Sequence, residues 1–194
     1  CIRDRANLPD DLRSKAMIAE FDINQRPIDI VEAILALNPK IVGLGVYIWN
    51  AEPSLKVVAD LKRLRPELII VVGGPEVSYE TEQQEICRIS DYVVRGEGDT
   101  AFGELCQTLL VGRRPLLKTV DATLPEFTGL RLPYTLYNDH DIRHRVMYVE
   151  ASRGCPFKCE FCLSSLDIPV RNAPIDDFLA DMQRCEAIIA AVGD

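Results

Sequence analysis

Three cysteines fall within one short stretch, Arg153-Gly154-Cys155-Pro156-Phe157-Lys158-Cys159-Glu160-Phe161-Cys162, in the spacing C-x3-C-x2-C. Three thiolates on one compact loop can each take one iron of a cubane [4Fe–4S] cluster. Such clusters are normally held by four cysteines, so a local set of three leaves one iron open to an exogenous ligand. An open coordination position is what separates a reactive metal site from a structural one, as zinc illustrates. The same thiols would serve a structural zinc if a fourth ligand stood at suitable spacing. Cys185 lies well downstream within a helical pattern, and His140 and His144 lie upstream of the loop. Cys1, Cys87, Cys106 and Cys185 are scattered singletons. Three of them sit in helical patterns, where a free thiol behaves as a small hydrophobe.

Seven cysteines, an odd number with three clustered, do not make the disulfide framework of a secreted protein; a cytoplasmic, reducing setting is expected. The chain has 194 residues, 47% hydrophobic and 27% charged, which excludes a disordered tail, a collagen-like fibre and a coiled coil. A net charge of −8 disfavours generic nucleic-acid binding, which gains its affinity by neutralising phosphates. No run of ~18 apolar residues is present to span a bilayer, and the given sequence does not open on a charged start followed by an apolar stretch and a small-residue cleavage site. Residue 1 is Cys rather than Met, as expected of a fragment or a processed product.

The elements that must position these residues alternate between two periodicities. Strands are expected at 16–23 (AMIAEFDI), 40–48 (KIVGLGVYI, read as buried on both faces), 68–72 (LIIVV) and 91–95 (DYVVR). Helices are expected from Pro27 to Asn38-Pro39, from Asn50 through a stripe of Leu55, Val58, Leu61 and Leu64, over 81–88, and over 100–111 with Phe102, Leu105 and Leu109 on one side. Strand–helix alternation with short connections predicts an α/β fold with a doubly wound, mostly parallel sheet, Rossmann- or flavodoxin-like. Ligands of such sheets bind beyond the carboxyl ends of the strands. Sheets of this kind usually carry five or more strands, so a first strand is expected upstream. Residues 113–145, with three prolines and no sustained period, read as a linker. A strand at 146–151, a loop at 152–162 and a helix at 175–191 then open a second unit, too small to hold a core of its own.

The cysteine stretch resembles the radical S-adenosylmethionine superfamily, whose signature is C-x3-C-x-aromatic-C. The resemblance implies that Cys155, Cys159 and Cys162 hold a [4Fe–4S] cluster and that Phe161 lies against the adenine of S-adenosylmethionine. It implies that the open iron takes the amino and carboxylate groups of that cosubstrate, whose reductive cleavage yields a 5′-deoxyadenosyl radical. A small-molecule substrate and an electron donor such as flavodoxin or ferredoxin follow as partners. The α/β unit ahead of the loop resembles the cobalamin-binding domains of the B12-dependent branch, over about residues 16–112. The residues that carry this are Gly73-Gly74-Pro75-Glu76 and Arg95-Gly96-Glu97-Gly98-Asp99, since glycines at strand ends allow a ligand close to the backbone. Gly45, Tyr47, Gly73, Gly74, Glu97 and Gly98 are the implied cobalamin contacts. Two departures stand out. The D-x-H-x-x-G loop of the better-known members is absent, and Gly45-Val46-Tyr47 stands where the family often has S-x-L. A histidine lower ligand to cobalt therefore has no support in this chain. Tyr47 and Trp49 either lie beneath a corrin or pack at the sheet end.

The domains expected are 1–112 (B12-binding-like), 113–145 (linker) and 146–194 (the start of a truncated radical S-adenosylmethionine barrel). The parent protein is expected to be an enzyme that transfers a methyl group or carries out another radical reaction, with the fragment itself inactive. The alternative is a non-catalytic Rossmann-like module that binds cobalamin or a partner and holds structural zinc at the cysteine loop.

Overall fold

A computed structural model describes residues 2–144, 146–162 and 170–193. The chain forms two compact units, Cys1–Leu124 and Pro125–Asp194. The first opens with the short helices α1 (Ile2–Ala6) and α2 (Asp10–Arg13), followed by α3 (Pro27–Ala36). Strands and helices then alternate: β1 (Ile41–Gly45), α4 (Ala51–Leu64), β2 (Ile69–Gly73), α5 (Pro75–Ser78), α6 (Glu85–Ile89), β3 (Tyr92–Arg95), α7 (Gly98–Leu110) and β4 (Thr119–Asp121). The strands lie in the order β1-β2-β3-β4, all parallel. Gly45 stands opposite Gly73, and Gly73 opposite Val94, so the carboxyl ends of three strands meet at one rim.

Successive side chains of a strand point to opposite faces, and both faces here are covered. Ile70, Val72 and Val93 pack with Val31 and Ile34 of α3, Val57, Val58 and Leu61 of α4, and Ile86 of α6. Val71, Tyr92 and Val94 pack with Ala101, Leu105 and Leu109 of α7. Helices on both faces of a parallel sheet make this the doubly wound α/β fold. A polar stitch closes the amino ends of the strands, away from the rim. Asp91 accepts the Ile70 N–H at 2.7 Å, and Lys62 Nζ donates to Asp91 at 3.0 Å and to the Leu68 carbonyl at 3.0 Å.

Several expected elements differ. Residues 16–23 form no strand: an apolar run becomes a strand only beside a partner ladder, and none pairs with it among the described residues. The fourth strand is β4, three residues inside the stretch read as linker and too short to show a period. β1 is only partly buried, because it is an edge strand; β2 and β3, flanked on both sides, carry the fully buried residues. The strand expected over 40–48 stops at Gly45, where a turn begins. The helix expected over 81–88 is a 3-10 turn at Thr81–Gln83 followed by α6. On α4 the buried stripe runs through Ser54, Val57, Val58 and Leu61, while Leu64 is exposed.

In the second unit, 3-10 turns at Phe127–Gly129 and Pro133–Leu136 precede α8 (Asp139–His144). The strand expected at 146–151 is instead a two-residue β5 (Ser152–Arg153), antiparallel to β6 (Arg171–Asn172). The long α9 (Ile175–Gly193) ends the chain, at the place its periodicity and acidic first turn predict. Among the described residues no helix is long and apolar enough to cross a membrane.

Leu61 is fully buried and Leu64, one turn on, is exposed. Leu61→Ala is expected to lower unfolding free energy by about 2–5 kcal/mol, and Leu64→Ala by no more than about 0.5 kcal/mol. Urea denaturation of both variants measures the difference; equal losses would contradict the packing described.

Candidate functional site

The rim at the carboxyl ends of β1, β2 and β3 is built from three loops fastened to one another. After β1 the chain turns through Val46-Tyr47-Ile48-Trp49. Asn50 shapes that turn: its carboxamide oxygen accepts the Tyr47 N–H at 2.7 Å, and its nitrogen donates to the Gly45 carbonyl at 3.0 Å. Tyr47 and Trp49 stack with ring centroids 4.6 Å apart and planes 9° from parallel. Tyr47 is half-buried beside Gly45, whereas Trp49 is 63% exposed and Ile48 80% exposed, so the turn presents an apolar ledge.

The β1 and β2 loops are joined through main chain. The Val46 N–H donates to the Gly73 carbonyl at 2.7 Å, and the Glu76 N–H donates to the Val46 carbonyl at 3.3 Å. Gly74 makes this closeness possible. Its φ is +112°, and a Cβ there would stand 2.6 Å from the Val46 carbonyl oxygen. Ser78 joins the β2 loop to the β3 loop: its hydroxyl donates to the Gly74 carbonyl at 2.8 Å and accepts the Gly96 N–H at 3.1 Å. Gly96 turns the chain at φ +81°, after which Glu97 caps α7 and Gly98 begins it. Arg95 pairs with Asp121 across β3 and β4. Gly45, Tyr47, Gly73, Gly74, Glu97 and Gly98 thus all lie along this rim. Asn50 and Ser78 were not singled out from the sequence, because a small polar residue just past a strand is ordinary loop composition until its partners are seen.

The cysteine loop starts from a peg. Arg153 is buried, donates Nε to the Glu150 carboxylate at 3.0 Å, and lies 5.5 Å from the centroid of the Phe127 ring. The Glu150 N–H is held by the Tyr134 hydroxyl at 3.1 Å. Gly154, at φ +90°, turns the chain from this peg into Cys155. Cys155, Cys159 and Cys162 are half-buried and in no disulfide, and the Cys162 N–H donates to the Cys159 carbonyl at 3.1 Å. Phe161 projects 93% exposed between the last two. Among the described residues no three His, Cys, Asp or Glu side chains stand close enough together to hold a metal ion. By donor type and by placement on one short loop, the trio suits a thiophilic metal group, whose binding itself draws such ligands together. Cys87, Cys106 and Cys185 are buried; burial pushes the Cys106 thiol up to about 11 and raises the other two. His140 and His144 lie on α8 with ring centroids 4.6 Å apart.

A doubly wound parallel sheet with a glycine-bearing rim at its strand ends places this domain in the α/β class, whose ligands bind at such a rim. Residues 14–106 match the B12-binding domain family. The chain is 32% identical to an uncharacterized methyltransferase of Pyrococcus horikoshii, over 74% of this chain and 35% of that protein. It is 28% identical to a 2-(S-pantetheinyl)-carbapenam-3-carboxylate methyltransferase of Streptantibioticus cattleyicolor, over 71% of this chain and 24% of that protein. It is 25% identical to the cobalamin-dependent radical SAM methyltransferase TokK of Streptomyces tokunonensis, over 77% of this chain and 26% of that protein. The chain therefore spans between about a quarter and a third of the length of these curated relatives.

The thiols should separate chemically. Because the thiolate is the nucleophile, iodoacetamide at pH 8 should modify Cys155, Cys159 and Cys162 in the native protein while Cys87, Cys106 and Cys185 stay unmodified until urea is added; peptide mass spectrometry reads this. The raised Cys106 pKa keeps that residue in its unreactive thiol form until the pH nears about 11. Rapid native labelling of Cys106 would contradict its burial. For the rim, Gly74→Ala should cost about 2–4 kcal/mol, combining a left-handed backbone with a clash. Gly112, at φ +81° with nothing within 4 Å of a Cβ, should tolerate Ala at about 1 kcal/mol. Denaturation midpoints of the two variants test the contrast.

Proposed function

We propose that the parent protein is a cobalamin-dependent radical S-adenosylmethionine methyltransferase, of which this chain supplies the cobalamin-binding domain and the cluster loop. The observation that carries this reading is the occurrence, in one chain, of a match to the B12-binding domain family over residues 14–106 and a C-x3-C-x2-C loop ending Cys-Glu-Phe-Cys. The methyltransferase names of three relatives support methyl transfer over other radical outcomes.

The roles follow from the residues. Gly74 lets the β1 and β2 loops close main chain to main chain, and with Gly73 it keeps the rim free of side chains there, so a corrin tail can lie along that backbone edge. The Tyr47–Trp49 stack and Ile48 offer a flat apolar surface suited to a macrocycle. Gly45, Glu97 and Gly98 complete the rim on either side. No histidine lies on these loops, so the rim offers no imidazole that would hold a cobalt. Cys155, Cys159 and Cys162 hold the cluster as thiolates, Arg153 fixes the start of their loop, and exposed Phe161 lies against adenine of the cosubstrate. When bound, cobalamin supplies a methyl carrier, and the cluster supplies the low-potential electron that breaks the sulfonium C–S bond. A small electron-transfer protein such as flavodoxin or ferredoxin is the matching donor, and the methyl acceptor is a small molecule.

Anaerobic reconstitution with iron and sulfide is expected to give about four irons per chain, and Cys159→Ala to lose most of them. Hydroxocobalamin is expected to bind with a shift in its visible spectrum, and Trp49→Ala to weaken that binding about tenfold, or ~1.4 kcal/mol. A colourless protein holding a single tight zinc would replace the cluster reading with a structural one. An unchanged hydroxocobalamin spectrum would remove the cobalamin reading.

A further inference from the structure

The geometry points to Ser78 as a positioning residue that sets the spacing of the β2 and β3 loops at the cobalamin-binding rim, an inference that rests on the cobalamin reading above. The three loops of the rim are tied in series. Asn50 holds the β1 loop in its turn. Main-chain bonds between Val46, Gly73 and Glu76 tie the β1 loop to the β2 loop. The link from the β2 loop to the β3 loop runs through the Ser78 hydroxyl, which spends its one proton on the Gly74 carbonyl and takes the Gly96 N–H on a lone pair. Both of the glycines it joins have backbone conformations that other residues rarely adopt, φ +112° at Gly74 and +81° at Gly96. The hydroxyl thus couples two strained turns that would otherwise relax independently.

Its place in the helix suits this work. Ser78 closes α5, and its bond to Gly74 runs back to the carbonyl four residues earlier, which fixes the side-chain rotamer before the Gly96 N–H arrives. Removing the oxygen leaves the fold's apolar core untouched, since Ser78 is half-buried at the rim and belongs to none of the core clusters. What changes is the gap between the Gly73-Gly74 turn and the Gly96-Glu97-Gly98 turn. A ligand seated against both turns needs that gap held at one width, and pre-setting it before binding removes an ordering cost from the bound state.

The test uses the whole chain and the pair Ser78→Thr and Ser78→Val, which have nearly the same shape and differ in the hydroxyl; Ser78→Ala serves as a third variant. Hydroxocobalamin affinity is read by spectral titration, and exchange of the Gly96 amide by NMR or mass spectrometry in the ligand-free protein. S78T is expected to match the unmodified chain on both readouts. S78V and S78A are expected to bind about tenfold more weakly and to exchange the Gly96 amide faster, with thermal midpoints of S78V and S78T alike. Cobalamin binding by S78V equal to that by S78T overturns the inference, as does a Gly96 amide whose exchange ignores the hydroxyl. Failure of the unmodified chain to bind hydroxocobalamin overturns the cobalamin reading itself, and the amide exchange then still shows whether the hydroxyl couples the two turns.

Discussion

The rim depends on how closely two backbones approach at Gly74. Parallel strands end side by side with their carbonyls pointing the same way, and the loops leaving β1 and β2 would ordinarily splay apart to make room for side chains. Here the Val46 main chain lies against Gly74 so tightly that a single added carbon would sit 2.6 Å from a carbonyl oxygen. The contact holds because the Val46 N–H and carbonyl are both used, one toward Gly73 and one toward Glu76. The first turn can then project its aromatic pair outward, and the second can carry α5 to the point where Ser78 meets Gly96. The sheet's two apolar faces keep the strands in register while these polar bonds arrange what the strands present at their ends.

The same division of labour holds in the second unit. The two-residue pairing of β5 with β6 has little stability of its own. The loop it launches is fixed instead by a buried guanidinium engaged by Glu150 and the Phe127 face. Charge burial on this scale is tolerated only with partners in place. The thiols, by contrast, remain reachable, and the aromatic between the last two is almost wholly exposed. A rigid base with open ligands is a workable arrangement for a site completed by what it binds.

Much of the architecture was legible in the chain. LIIVV read as a buried strand because it contains no polar residue that would want a solvent face, DYVVR as a shorter strand around its apolar Tyr-Val-Val centre, α7 by its apolar side and α9 by its acidic first turn. Misreadings cluster where a segment's fate depends on its neighbours. AMIAEFDI has the composition of a strand and no strand beside it, whereas the short TVD of β4 has no signal and becomes a strand because β3 offers it an edge. Leu64 continues the heptad-like stripe of α4 in sequence, yet the helix presents Ser54 and Val57 to the sheet instead. In each case the surface available to the segment, which its own residues do not encode, decided the outcome.

The candidate site divides along the same line. Residue types and spacings determined the thiol trio, its exposed aromatic and the glycines at strand ends, because metal ligation and close backbone approach each demand particular side chains, or the lack of one, at fixed intervals. Only the tertiary structure decided that Asn50 shapes the first turn, that Ser78 bridges the second and third, and that Arg153 anchors the cysteine loop. Those bonds join residues whose separation along the chain carries no signature, and a hydroxyl or carboxamide becomes specific only once folding has brought one donor and one acceptor within its reach.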